Sequence, residues 1–251
     1  MINIIMHGCN GRMGQVISAL VKDDGEANIV AGIDIFDDGR NDYPVFLNID
    51  ECDVEADVVI DFSSAKAVDK LYEFCKKRNL PVVLCSTGLS EEQIYAARDL
   101  SKKVAVLRSG NMSLGINTVM KALKSISKTL AEAGFDIEIV EKHHNQKLDA
   151  PSGTALMLAD TINEQLDCAY SYKYDRSNLR EKRPKKEIGI SAVRGGTIVG
   201  DHDIIFAGVD EVIEIKHRAY SRNIFAKGAI EAAKFLKDRP AGLYDMSDVL
   251  G

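Results

Sequence analysis

Residues 2–14 read Ile2-Asn3-Ile4-Ile5-Met6-His7-Gly8-Cys9-Asn10-Gly11-Arg12-Met13-Gly14. A short apolar run ends on Gly8, and apolar residues then recur at helical spacing from Met13 to Val21. The segment predicts a strand, a glycine turn and a helix. Glycines in such a turn let the backbone approach a pyrophosphate. The helix N-terminus behind them offers unpaired N–H groups and the positive end of its dipole. Asn10 stands where the usual GxGxxG pattern has its second glycine; asparagine tolerates left-handed backbone better than most residues. Asp34 follows Gly14 by twenty positions, at the end of a second apolar run, Asn28 to Ile33. A carboxylate there would accept from the hydroxyls of an adenosine ribose. The competing reading is a plain strand-to-helix turn with Asp34 as a solvated acid. A glycine triplet alone would not decide, but the strand before it, the helix after it and the placed acid favour a bound dinucleotide.

The same alternation continues outward. Asp57 to Phe62, Pro81 to Cys85 and Val104 to Leu107 are short apolar strands, separated by helical patterns over Ala65 to Arg78 and from the capping box Ser90-Glu91-Glu92-Gln93 onward. Continuous apolar strands alternating with helices indicate a parallel sheet covered on both faces. Ligands bind at the carboxyl ends of strands in such sheets. Phe62-Ser63-Ser64, Ser86-Thr87-Gly88 and Ser109-Gly110-Asn111-Met112 fall at those ends, and each is small or polar enough to line a nicotinamide site.

Beyond about Asn111 the pattern changes. Leu114 to Ala133 is a long helix, Phe135 to Val140 a strand, Glu141 to Asp149 a polar stretch, and Thr154 to Leu166 a helix capped by Ser152. Tyr170 to Lys186 reads as a loop or weak edge. Glu187 to Ala219, punctuated by Gly195-Gly196, Gly200 and Gly208, reads as an antiparallel meander. A last helix, Ile224 to Leu236, is expected to return to the first domain. The predicted fold is α/β, a Rossmann-type doubly wound domain (1–113 and 221–251) with an inserted α+β domain (114–220).

Composition bounds the function classes. The 251 residues are 45% hydrophobic and 28% charged, with a net charge of -6. That supports a folded core and disfavours nucleic acid as the main ligand. Five cysteines, an odd number without a CxxC pair, suggest free thiols in a reducing cytoplasm. The apolar start lacks a basic leader pattern, and no run is long enough to span a membrane.

The most specific segment is Glu141-Lys142-His143-His144-Asn145-Gln146-Lys147-Leu148-Asp149-Ala150-Pro151-Ser152-Gly153-Thr154-Ala155. Backbone N–H groups of Ser152, Gly153 and Thr154 at a helix start make a carboxylate site. Lys147 adds a positive charge, and His143 or His144 can move a proton near neutral pH. The set suits a small dicarboxylate that must also be protonated. A metal centre is disfavoured, because adjacent histidines rarely ligate one ion and no cysteine or third histidine stands near. A nucleophilic Ser152 lacks the GxSxG elbow. A solvated basic loop with an ordinary N-cap is the remaining alternative.

Gly11-Arg12-Met13-Gly14 followed by the His143-His144-x-x-Lys147-x-Asp149-Ala150-Pro151-Ser152-Gly153-Thr154-Ala155 pattern resembles the dihydrodipicolinate reductase family. The likeness extends over nearly the whole chain, including Val193-Arg194-Gly195-Gly196 and Gly242-Leu243-Tyr244-Asp245-Met246. It implies a reductase that takes NADH and/or NADPH, acts on 4-hydroxy-tetrahydrodipicolinate, and yields tetrahydrodipicolinate on the diaminopimelate route to lysine. By the resemblance, Gly8, Cys9, Asn10, Gly11, Arg12 and Met13 hold the pyrophosphate and Asp34 the ribose. Cys85, Ser86, Thr87 and Gly88, with Ser109, Gly110, Asn111 and Met112, border the ribose and nicotinamide. By the same resemblance His143 is the proton donor or acceptor and Lys147 the proton donor; His144, Gly153 and Thr154 bind substrate carboxylates. The family also implies a homotetramer paired through its substrate domains. One departure stands out: the family often carries a basic residue directly after the acid, and here Ile35 follows Asp34. NADH is therefore expected to serve at least as well as NADPH.

Overall fold

The apolar run at residues 2–7 is a strand because both of its faces are covered. The computed structural model describes residues 1–251. In chain order its elements are β1 (Ile2–His7), α1 (Arg12–Lys22), β2 (Ala27–Ile33), β3 (Val45–Phe46), β4 (Val58–Asp61), α2 (Val68–Arg78), β5 (Val82–Leu84), α3 (Glu91–Leu100), β6 (Ala105–Arg108) and α4 (Leu114–Glu132). There follow β7 (Asp136–His143), α5 (Gly153–Glu164), β8 (Ser171–Lys173), β9 (Glu187–Arg194), β10 (Gly200–Ala207), β11 (Val212–Ala219), α6 (Asn223–Leu236), β12 (Gly242–Tyr244) and α7 (Met246–Leu250). They form two units, Met1–Leu114 with Asn223–Gly251, and Gly115–Arg222. No helix is long and apolar enough to cross a membrane.

The first unit is a seven-stranded sheet in the order β12-β6-β5-β4-β1-β2-β3. Its pairings are all parallel, so the strands run through the sheet as in a doubly wound nucleotide-binding fold. Strand periodicity divides its core in two. Ile2, Ile4, Met6, Val58 and Ile60 face one side with Ile17 of α1 and Ala229, Ala233 and Leu236 of α6. Ile5, Val59 and Val82 face the other with Leu71, Phe74 and Cys75 of α2 and Ala97 and Leu100 of α3. Because neither face meets water, these strands carry no polar alternation. Two glycines let helices approach closely. A Cβ on Gly14 would stand 2.3 Å from the Gly8 carbonyl oxygen, and one on Gly228 would stand 1.7 Å from that of Met112. Ser90 and Gln93 form the expected capping box at the start of α3.

The second unit has a five-stranded sheet, β11-β10-β7-β9-β8. Here the predicted antiparallel meander is corrected. β10 and β11 form an antiparallel pair, but β7 lies between β9 and β10, and it pairs parallel with β9 and antiparallel with β10. A strand distant in sequence has captured the centre of the sheet, which local turn signals cannot reveal. The weak edge at 170–186 contains the short strand β8, parallel to β9. The short outer strands β3 and β12 escaped the sequence reading, since two or three residues carry no period.

β7 also runs three residues further than Phe135 to Val140. Its residues alternate between half-buried and buried, with Ile137, Ile139, Glu141 and His143 all inward. On the same face stand Ile188 and Ile190 of β9, Ile204 and Phe206 of β10, and Ala155, Leu158, Ala159 and Ile162 of α5. Glu141 and His143 occupy core positions with polar side chains, which broke the apolar pattern and ended the predicted strand too early.

Candidate active site

In the first unit, the turn after β1 turns on Gly8, whose φ is +82°. A Cβ there would meet the Phe62 carbonyl at 2.7 Å, so both conformation and space require glycine. Asn10 does not use its tolerance of left-handed backbone. Its backbone N–H donates to Asp34 Oδ2 at 2.8 Å, and its side-chain oxygen accepts from Asn41 Nδ2 at 2.7 Å. Asn10 thus ties the glycine turn to the 34–41 loop. Cys9 is buried beneath Gly32, and burial pushes its thiol up to about 12. Met13 packs into the core, whereas Arg12 is exposed.

A cavity of about 560 Å³ opens beside this turn, walled by Gly8 and Gly11, by Asp34, Ile35 and Phe36, and by Ser63, Ser64, Lys66 and Lys70. The first turn of α1 has no side-chain cap and no acidic residue, so its N–H groups are unclaimed by a protein carboxylate. Volume, glycine walls, an uncapped helix end and a carboxylate on the wall fit a dinucleotide. Ser86, Thr87 and Gly88 follow β5, and Ser109 to Met112 follow β6; neither group contributes to the walls of that cavity. Cys85 is half-buried, and burial followed by the nearby Asp61 charge drives its thiol well up. Ser109 Oγ donates to the Asn111 carbonyl at 3.1 Å, and Asn111 Oδ1 accepts from Ser113 N at 2.8 Å.

Sequence reasoning missed the buried pair behind this wall. His7 Nδ1 lies 2.8 Å from Asp61 Oδ1, which also accepts from Ser63 Oγ at 2.6 Å; Ser63 Oγ is 3.5 Å from Ser86 Oγ. Burial alone would raise the Asp61 carboxyl, but its bonds to His7, Ser63 and Ser86 outweigh that and hold it below the usual range. A single histidine and a single aspartate at two strand ends carry no sequence signature; their pairing needs β1 and β4 to be neighbours.

In the second unit, the polar end of the inward face of β7 lies by the start of α5. Glu141 is completely buried. Its Oε2 accepts from His143 Nδ1 at 2.6 Å and from an Arg194 nitrogen at 2.8 Å. Its Oε1 accepts from the other Arg194 nitrogen at 2.7 Å and from Ser152 N–H at 3.0 Å. Burial would raise Glu141, yet Arg194, His143 and Ser152 together hold it below the ordinary range. Ser152 caps α5 by accepting from Ala155 N at 3.2 Å, and its Oγ is also 3.2 Å from His202 Nε2. The His143 and His202 rings meet edge to face at 5.3 Å. Burial, then the nearby His143, lower His202 to about 4.

His144 is half-buried just past β7, and Lys147 pairs with Asp149 at 2.8 Å. That pairing, led by the Lys147 hydrogen bond, lowers the Asp149 carboxyl. Gly153 is exposed at the first position of α5, with open space where a Cβ would be, and Thr154 follows it. The first turn of α5 has no acidic residue. Glu141, Arg194 and His202 were not assigned roles from sequence. Their signal is the register: His202 on β10 stands opposite Glu141, and Arg194 on β9 stands opposite His143.

Residues 2–112 match the family described as "Dihydrodipicolinate reductase, N-terminus", and residues 115–250 match "Dihydrodipicolinate reductase, C-terminus". The chain is 52% identical over 254 residues to the 4-hydroxy-tetrahydrodipicolinate reductase of Caldanaerobacter subterraneus subsp. tengcongensis, covering 100% of this chain and 98% of that one. It is 50% identical over 250 residues to the enzyme of the same name from Clostridium tetani, covering 100% and 97%. Among solved structures it is similar to a dipicolinate-bound dihydrodipicolinate reductase from a Paenisporosarcina species, with a TM-score of 0.78 and 27% identity over 98% of this chain and 97% of that one. A probable dehydrogenase from Thermotoga maritima, 14% identical with a TM-score of 0.59 over 98% and 92%, shares the fold.

Proposed function

This chain belongs to the dihydrodipicolinate reductase family, and from that premise we propose that it reduces 4-hydroxy-tetrahydrodipicolinate to tetrahydrodipicolinate with NADH or NADPH, in the diaminopimelate route to lysine. The reaction adds a hydride and a proton to the heterocycle and releases its hydroxyl as water. The reduced nicotinamide, when bound, supplies the hydride. Gly8, Cys9, Asn10, Gly11, Arg12 and Met13 hold the pyrophosphate and Asp34 the ribose. Cys85 to Gly88 and Ser109 to Met112 border the nicotinamide end. Lys147, His144 and the Gly153 and Thr154 amides orient the substrate carboxylates and offset developing negative charge. His143 moves the proton. Residues 1–113 and 221–251 serve the cofactor; 114–220 serve substrate and assembly.

The observation that carries this reading is a buried imidazole, His143, held by a carboxylate whose other oxygen is bound to the first N–H of the α5 cap. Purified protein should oxidise the reduced nicotinamide only when the heterocycle, freshly made by its synthase, is present. Absence of that oxidation would overturn the assignment. The same assay sets the cofactor preference. Ile35 is 90% exposed beside Asp34 and offers nothing to a 2′-phosphate, while Lys66 and Lys70 on the cavity wall reduce the penalty. NADH should be favoured by about 1–2 kcal/mol, roughly five- to thirtyfold in kcat/KM. An NADPH preference of about tenfold would contradict this, and Ile35→Arg should move the ratio toward NADPH.

The family resemblance supports a homotetramer. Light scattering at working concentration should return four times the 27.5 kDa chain mass; a fully active monomer would refute it. Five unpaired cysteines support a cytoplasmic location.

A further inference from the structure

A carboxylate buried at a core position of a sheet costs several kcal/mol unless its lone pairs are satisfied. Glu141 is such a group, and its two oxygens receive four hydrogen bonds: His143 Nδ1, both terminal nitrogens of Arg194, and Ser152 N–H. An apolar residue would fit the parity of Ile137 and Ile139 without any of these partners. We propose that Glu141 is the positioning residue of the reaction: it fixes His143 as the Nδ1–H tautomer, leaves Nε2 as the atom that exchanges the proton, and ties that imidazole to the carboxylate-binding start of α5 through Ser152 N–H.

The donor and acceptor inventory drives the assignment. A carboxylate only accepts, and the Arg194 and Ser152 partners only donate. Nδ1 of His143 must therefore donate to Glu141 whether the ring is neutral or charged, and the titrating proton resides on Nε2. Gly200 leaves the space beside Nε2 open, since a Cβ there would stand 3.1 Å from it. The neighbouring imidazole has no carboxylate partner: Ser152 Oγ, which accepts from Ala155 N, lies 3.2 Å from His202 Nε2. His202, which burial holds down to about 4, stays neutral beside His143. Of two rings in contact, only His143 has a carboxylate partner.

The charged and titratable groups around His143 come from every side: Glu141 on its own strand, Arg194 on β9, His202 on β10 with His217 beyond it on β11, and the Lys147–Asp149 pair in the loop. Glu141 is the carboxylate in direct contact with the ring. Replacing it by glutamine leaves Arg194 unopposed and disfavours the imidazolium. Because the protonated ring is the donor, activity falls as pH rises, and loss of Glu141 moves that alkaline limb to lower pH.

The role rests on His143 acting as proton donor, as proposed above. In Glu141→Gln we expect kcat to fall on the order of 100-fold, with NADH affinity unchanged and the alkaline limb of the kcat profile displaced downward by about one unit or more. Glu141→Asp, which keeps the charge, should restore the limb. Nitrogen-15 NMR of the unmodified protein, with the His143 signals identified by their loss in His143→Gln, should show the Nδ1–H tautomer; this reading does not depend on any Glu141 variant folding. An Nε2–H tautomer, or an unmoved pH profile in Glu141→Gln, would overturn the role of Glu141 while leaving an inactive His143→Gln to support the acid–base reading. A fully active His143→Gln would overturn both.

Discussion

His143→Gln is expected to lower turnover by roughly 100- to 10,000-fold, the range of a lost general acid, while NADH binds as before. The reason is chemical division between the two units. The dinucleotide cavity is built from the glycine turn and the ends of β1, β2 and β4, whereas His143 belongs to β7 in the other unit. Glutamine matches the bulk of the ring and can still donate to Glu141, so the buried carboxylate is not stranded. What it cannot do is release and regain a proton. Steady-state kcat and calorimetric NADH titration on the same preparation test the claim. Turnover at the unmodified level would remove His143 from the mechanism, and a matching loss of NADH affinity would place its role elsewhere.

Lys147→Ala should reduce kcat/KM by about 10- to 150-fold, corresponding to about 1.5–3 kcal/mol for a hydrogen bond to a charged partner. Both KM and kcat should suffer, because in the proposed role the ammonium would hold a substrate carboxylate and also oppose the charge that develops during reduction. Lys147 is engaged with Asp149 at 2.8 Å. Substrate must share or replace that contact, which keeps the net gain below that of an unpaired lysine. NADH affinity is the control: if it falls in step with kcat/KM, Lys147 serves the nucleotide and the assignment is wrong.

Comparing residues shows how far local pattern reaches. The run 2–14, the acid at Asp34 and the capping box at Ser90 were readable because each depends on neighbours in sequence. A strand that meets apolar cover on both sides must be continuously apolar, and a helix that starts at a glycine turn must lack a Cβ where it nears the strand. Asn10 shows the limit of the same logic. Its residue type tolerates left-handed backbone, but in the fold that tolerance is not used, and its N–H and side chain hold Asp34 and Asn41. That use of asparagine depends on a loop some thirty positions away, at Asn41.

By itself the sequence determined the alternating α/β order of the first unit, the glycine turn with its acid, and the helix start at Ser152 next to two histidines and a lysine. These follow from periodicity, backbone freedom and capping, which act over a few residues. Only the tertiary structure decided that β7 lies between β9 and β10, and with it the site behind His143. Arg194 comes from 53 residues away and His202 stands across the sheet from Glu141. Their union depends on register, because a one-residue slip of β9 or β10 would turn those side chains to the opposite face. Burial then supplies the reason for the partnership: away from water, the Glu141 carboxylate needs Arg194, Ser152 and His143 together, and no stretch of sequence holds all four close to one another.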